Sequence, residues 1–194
     1  MNALTLTIRM RPLLLLALLS ALSVVMSCKN DSTGPSTDPG NLLSNPSFES
    51  GDHPSYTGWH FNYSSDTTVS DDIPPLGGSW SLKMIPDWNP EPWARAYLTG
   101  QTGRRVFLLT AWVKTTNLST PAHIAFGILQ PDRTLRDEAS ANVSGTDWSQ
   151  YSVQDTLDLV ASDTVVVELS PGEDQSPQID AQALFDLVRL QKVF

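Results

Sequence analysis

The sequence is poor in cysteine and in long apolar runs. Its single cysteine is Cys28, so a domain that follows it has no disulfide, no Cys-ligated metal and no Cys nucleophile. The one long apolar run, residues 13–26, is interrupted by Ser20 and Ser23 and falls short of the about 20 residues that a membrane-spanning helix needs. A core of ordinary size must therefore hold the domain together.

Basic residues and catalytic motifs are also scarce. The chain has 12 Lys and Arg against 21 Asp and Glu, which excludes the basic footprint of a nucleic-acid-binding protein. Its three histidines do not form an HExxH pair, and no Gly-x-Ser-x-Gly or phosphate-loop motif occurs. These absences predict a protein that is not an enzyme.

The first 27 residues have the features of a bacterial lipoprotein signal peptide. Arg9 and Arg11 form a basic region ahead of the apolar run, and the run ends at Val25-Met26-Ser27-Cys28. This ending resembles the lipobox, in which the cysteine is acylated after cleavage. The pattern predicts export and a lipid anchor at Cys28 in the cell membrane or the outer membrane, with translation starting at Met1 or Met10.

A polar segment without any apolar residue follows the predicted anchor. Residues 28–40 are rich in Gly, Pro, Ser, Thr and Asp, a composition typical of a flexible tether. Removal of the leader, which holds two Arg and no acid, leaves 10 basic against 21 acidic side chains, a net charge of −11. Such a chain repels nucleic acid and anionic lipid, so membrane contact is expected through the lipid alone.

From Asn41 to Phe194 the pattern is that of an all-β sandwich. Short β-rich runs are separated by turn residues every 8 to 15 positions, and no sustained helical periodicity is present. The segment 137–141 could form at most one helical turn. The predicted strands cover residues 59–63, 80–84, 94–98, 106–114, 124–129, 151–157, 164–169 and 184–190.

Five segments of this domain, taken in order, resemble the carbohydrate-binding modules of families 4, 9 and 22. The resemblance spans essentially the whole domain and implies a jelly-roll sandwich of the galactose-binding-like class. The matching segments are Asn41–Gly51 with Gly58-Trp59, then Gly78–Met84, Leu108–Lys114, Asp147–Tyr151 and Phe185–Leu190.

The resemblance also implies a structural calcium site. Members of these families often hold calcium where the opening loop meets the last strand, and the matching carboxylates are Glu49 and Asp186. Calcium prefers oxygen ligands, and backbone carbonyls of the turn 45–51 could complete the set. Leu187 stands where the families often have a second Asp. The alternative is that Glu49 and Asp186 only cap turns.

Tryptophans are the candidates for ligand binding, because the C–H face of a sugar stacks on aromatic rings. Trp59, Trp80, Trp112 and Trp148 are expected in the core. Trp88 and Trp93 instead lie in a polar, proline-rich loop with little to bury them, and the strand period of two places Arg95 and Tyr97 on the side of Trp93. The predicted ligand site therefore comprises Trp88, Trp93, Arg95 and Tyr97, with Gln130 and Arg133 as more distant candidates.

Three functions fit these features. The first is a lipid-anchored envelope protein that binds a polysaccharide or glycan without catalysis. The second is a β-sandwich that docks onto another protein and has no sugar site, which burial of both Trp88 and Trp93 would favour. The third, ranked below the others, is a glycan hydrolase.

Overall fold

The computed structural model describes residues 40–62, 67–88 and 91–193. These residues form strands and loops, and no helix long and apolar enough to span a membrane occurs among them. The strands are β1 (Glu49–Ser50), β2 (His53–Pro54), β3 (Trp59–Phe61), β4 (Thr67–Ser70), β5 (Ser81–Met84), β6 (Ala94–Leu98), β7 (Gly103–Thr116), β8 (Ala122–Leu129), β9 (Leu135–Val143), β10 (Ser149–Leu159), β11 (Val165–Ser170) and β12 (Gln182–Lys192).

Two antiparallel five-stranded sheets pack face to face as a sandwich. Sheet A has the strand order β10-β7-β12-β5-β4, and sheet B has the order β3-β6-β11-β8-β9. Some neighbours are distant in sequence, such as β7 with β12 and β6 with β11, whereas β4 with β5 and β8 with β9 are consecutive. The predicted all-β jelly-roll class is confirmed.

The core lies between the sheets and follows from strict alternation along the strands. In β7, Phe107, Leu109, Ala111 and Val113 are fully buried, whereas the residues between them are partly exposed. The ring of Phe107 meets that of Phe126 from sheet B edge-on, with centroids 6.1 Å apart. The alternate residues of β7 therefore form part of the outer face of sheet A.

The eight predicted strands are all present, and some are longer than predicted. The strand predicted at 59–63 ends at Phe61, and residue 63 lies outside the described residues. Residues 137–141 belong to β9, a strand that the sequence analysis did not predict. The register of β9 against β8 shifts between Phe126 and Ile128, and Asp137 has a φ of 49°. A β-bulge breaks the alternation of side chains on which the prediction of a strand depends.

The expectation that four tryptophans lie in the core is correct only for Trp59. Trp112 is on the outer face of sheet A, because Ala111 and Val113 on either side of it point inward. Trp80 and Trp148 are only partly buried, and their indoles donate to the Asp52 carbonyl and to the carboxylate of Asp72.

The signal peptide, Cys28 and the tether up to residue 39 lie outside the described residues. The lipid anchor at Cys28 and the boundary of the exported domain therefore stay predictions.

Candidate functional site

Strand β6 and the residue before it place three of the predicted site residues on one surface. Ala94 and Ala96 are in the core, so Trp93, Arg95 and Tyr97 share the outer side of sheet B. His60 on β3 lies directly opposite Arg95, and its ring contacts that of Tyr97 at a centroid distance of 5.0 Å. We call this outer surface of sheet B the Trp93 face.

Arg95 organises the Trp93 face. Its guanidinium carbon lies 4.4 Å from the centroid of the half-buried Trp93 ring, within the range of a cation–π contact. Its Nε donates to Glu168 Oε2 at 2.5 Å, and a terminal nitrogen donates to the carbonyl of Arg133 at 3.0 Å. Only 8% of Arg95 is exposed, so these contacts fix the guanidinium and support the indole ring.

A histidine and a second glutamate extend the polar network. His123 Nε2 lies 3.3 Å from Glu168 Oε1, and His123 Nδ1 lies 3.6 Å from Glu91 Oε1. The hydroxyl of Ser170 donates to the same Glu91 oxygen at 2.5 Å. Carboxylates, imidazole and guanidinium therefore line the surface beside the Trp93 ring.

Mutual contacts set the charges in this network. Burial alone would lower the pKa of His123, but its hydrogen bond to Glu168 and the negative charges of Glu91, Glu168 and Glu138 outweigh burial and raise that pKa above 6.5. Burial alone would raise the pKa of Glu168, yet His123 and Arg95 lower it below 4.5. Arg95 and His123, the two cationic groups of this network, are thus both paired with carboxylates.

Trp88 lies apart from this network. It is 49% exposed, and its backbone N–H donates to the Asp87 side chain. Within the described part of the chain, no ring contact or hydrogen bond joins Trp88 to Trp93. Burial of both tryptophans would have favoured a docking module without a sugar site. Trp88 is exposed and Trp93 is only half-buried, so this condition is not met.

The two predicted calcium ligands converge on one turn. A side chain added at Gly78 would overlap the Glu49 carboxylate, and one added at Gly77 would lie 2.5 Å from Asp186 Oδ2. Glu49 accepts a hydrogen bond from the Ser79 backbone N–H at 2.7 Å. The turn Gly77-Gly78 thus brings together carboxylates from the first and last segments of the domain.

Asp186 is an unusual buried carboxylate. It has no exposed surface, and its Oδ2 has no hydrogen-bond partner among the described residues. Burial, with a smaller contribution from the charge of Glu49, raises the pKa of Asp186 to about 8. A buried carboxylate oxygen without a donor is costly, and a cation with oxygen ligands would satisfy it.

The donor set of this site is limited. No cluster of three or more His, Cys, Asp or Glu side chains suited to a metal occurs in the described ranges. Two carboxylates fit calcium only if backbone carbonyls or water supply the other ligands, and such a mixture is usual for this ion.

Sequence reasoning missed Glu168, His123 and His60 on the Trp93 face. Strand pairing across sheet B places His60 and Glu168 on either side of Arg95, and it places His123 opposite Ser170, within reach of Glu168. The only signal in the sequence was a charged residue within the otherwise apolar strand β11.

No described protein family matches the sequence, and a comparison with proteins of assigned function also finds no relative. Solved structures with the same fold are nevertheless numerous. The CBM22-1 xylan-binding domain of Paenibacillus barcinonensis Xyn10C superposes with a TM-score of 0.54 at 19% identity, over 79% of this chain and 96% of that domain. The family 16 carbohydrate-binding module-2 superposes with a TM-score of 0.54 at 20% identity, over 77% of this chain and 99% of that module.

TmCBM61, solved in complex with β-1,4-galactotriose, gives a TM-score of 0.52 at 15% identity, over 78% of this chain and 98% of that module. The enzymatically active domain of bacteriophage CBA120 tailspike protein 4 gives 0.52 at 16% identity, and the match covers 71% of this chain but only 20% of that one. At these identities the likeness concerns the fold. It confirms the β-sandwich that the resemblance to carbohydrate-binding modules implied.

Proposed function

We propose that this domain binds a neutral glycan on the Trp93 face and does not cleave it. The observation that carries the proposal is the half-buried Trp93 ring, held by Arg95 beside polar groups that can exchange hydrogen bonds with hydroxyls. A sugar needs both elements, since its C–H face stacks on an aromatic ring while its hydroxyls need polar partners.

The charge of the site points to a neutral ligand. Arg95 is paired with Glu168, and His123 lies between Glu168 and Glu91. The whole chain has a net charge of −9. A polyuronate would therefore meet repulsion at long range, and it would find Arg95 and His123 already paired with carboxylates.

Affinity gel electrophoresis tests this proposal. We expect retardation in gels that contain at least one neutral polysaccharide, such as xylan, β-1,4-galactan or hydroxyethylcellulose, and no retardation by polygalacturonate. Trp93→Ala should weaken the retarding interaction at least about tenfold, or ~1.4 kcal/mol. Trp80→Ala is the matched control, since Trp80 precedes β5 of sheet A. Normal mobility in every neutral gel would contradict the proposal.

We further propose that acylated Cys28 anchors the protein in the cell membrane or the outer membrane. The lipobox-like sequence before Cys28 and the polar tether after it support this. The wild-type protein should partition into detergent, whereas Cys28→Ala should accumulate as a longer precursor and lose lipid labelling. Unchanged labelling of the variant would remove the anchor from the proposal.

A structural calcium ion bound by Glu49 and Asp186 is the third part of the proposal. The buried Asp186 oxygen that lacks a donor supports it. The ion would neutralise two adjacent carboxylates and link the opening loop to the last strand.

A further inference from the structure

The outer face of sheet A, on the opposite side of the sandwich from the Trp93 face, carries a groove of about 540 Å³ over Trp112. Trp112 and Leu108 of β7 form its floor. Gln150 of β10 lies directly opposite Trp112, and Gln191 of β12 lies directly opposite Leu108. We call this feature the Trp112 groove. Its volume is within the about 300–1,000 Å³ that is typical of small-molecule sites.

The lining of the Trp112 groove combines an aromatic ring with neutral hydrogen-bonding groups. Besides the two glutamines it includes Thr110 and one charged residue, Arg189, and none of its described lining residues is an acid. No described residue accepts a hydrogen bond from the Trp112 indole N–H, which leaves that donor available to a ligand. An acid-free groove stands out in a chain with 21 Asp and Glu.

Two strained leucines border the same groove. Leu76 has a φ of 69° and Leu187 a φ of 48°, a region that bulky residues seldom adopt. Leu76 is 85% exposed, and Leu187 lies in the β-bulge between Asp186 and Arg189. Strained backbone and bulges of this kind are enriched next to binding sites, where they redirect side chains.

We propose that the Trp112 groove is a second saccharide site, independent of the Trp93 face. The indole would stack on the C–H face of a neutral sugar, while Gln150, Thr110 and Gln191 exchange hydrogen bonds with its hydroxyls. A second copy of this chain is the less suitable occupant, since a net charge of −9 opposes the approach of two copies. With sites on opposite faces of the sandwich, one molecule can hold two glycan chains and gain avidity on a polysaccharide.

NMR of the ¹⁵N-labelled full-length protein in detergent tests this proposal through the six tryptophan indole N–H signals. Xylohexaose, cellohexaose and β-1,4-galactotriose are titrated separately, with calcium present throughout. At least one of them should shift the Trp112 signal saturably, and the shift should persist in Trp93→Ala. Gln150→Ala should weaken this binding about three- to tenfold, the loss expected for one or two hydrogen bonds.

The control is Asp158→Ala, at the far end of the same strand and opposite Arg104, outside the groove lining, which should bind as the wild type does. Three results would overturn the proposal. The Trp112 signal could stay in place with every sugar, or its shift could vanish in Trp93→Ala, which would assign it to the Trp93 face. It could also move with protein concentration in the absence of sugar, which would identify the groove as a contact between copies of the chain.

Discussion

Arg95 illustrates how a charged side chain on an outer sheet face becomes part of a rigid site. An isolated buried guanidinium would be costly, but Glu168 supplies the opposite charge and the Arg133 carbonyl accepts another hydrogen bond. The period of two in β6 was sufficient to predict that Trp93, Arg95 and Tyr97 share a side. The partners of Arg95 come from segments 38 and 73 residues away, and local periodicity carries no information on such pairings.

Trp112 is the residue for which sequence reasoning failed most clearly. The run Leu108–Val113 is almost continuously apolar, so its alternation between core and outer face is hidden in the sequence. In the structure every second residue of that run faces outward, and the tryptophan is one of them. A strand with apolar residues on its outer face has the same sequence pattern as a strand that is buried on both faces.

At the residue scale, His123 should make stability depend on pH. The folded state holds the His123 proton more tightly than the unfolded chain does, because Glu168, Glu91 and Glu138 outweigh burial and the nearby charge of Arg95. Its contribution to the free energy of unfolding is thus complete below about pH 6.5 and is lost as the pH rises through the raised folded pKa. Urea unfolding between pH 5 and 9 measures this contribution. The difference in the free energy of unfolding between wild type and His123→Gln should become smaller as the pH rises.

The control for this measurement is His53→Gln, since His53 is exposed on β2. That variant should follow the wild-type profile throughout the pH range. The difference in the free energy of unfolding between wild type and His123→Gln could instead stay constant or increase with pH. That result would mean that Glu168 and Glu91 do not hold the proton on His123.

At the scale of elements, the strands with a clear apolar pattern were predicted, and the polar strands β1, β2, β4 and β9 were missed. Strand β6 was placed at Ala94–Leu98 from its pattern alone, and β7 was found but underestimated at both ends. Strand β9 was missed because its polar sequence and its bulge against β8 remove the usual signal. The contact of the turn Gly77-Gly78 with two carboxylates could not be predicted, because those carboxylates come from segments far away in sequence.

The close contact of this turn with Glu49 predicts that adding a single methyl group at Gly78 destabilises the fold. In Gly78→Ala the new Cβ would overlap the Glu49 carboxylate, which is nearly buried and bonded to the Ser79 N–H. Glu49 must then move and lose that hydrogen bond. The free energy of unfolding should therefore decrease by about 1–3 kcal/mol, as at other overpacked sites. Thermal or urea unfolding measures the difference.

A matched comparison is Gly100→Asn. Gly100 has a φ of 74° and open space around it, and asparagine tolerates this backbone region better than most residues do. Gly100→Asn should therefore change stability much less than Gly78→Ala. Equal stability of wild type and Gly78→Ala would show that Glu49 does not occupy the space beside Gly78.

At the scale of the whole molecule, the first described segment is bound along the last strand. Leu42 N–H donates to the Leu190 carbonyl, Val188 N–H donates to the Pro46 carbonyl, and the Asn41 amide donates to the Val188 carbonyl. The order of the family-like segments predicted the sandwich correctly, since a shared order of strands reflects a shared topology. It could not predict which outer faces carry binding groups, because those depend on register and on bulges.

Calcium should strengthen this closure between the first and last segments. An ion bound only by the folded protein stabilises it by about 2.7 kcal/mol at a concentration one hundred times its dissociation constant. The melting temperature of metal-stripped protein should therefore rise when calcium is added and fall back with chelator, and Asp186→Ala should abolish the response. Asp158→Ala, which removes an exposed acid from β10, should respond as the wild type does. A wild-type melt insensitive to both reagents would leave Glu49 and Asp186 as a buried carboxylate pair without an ion.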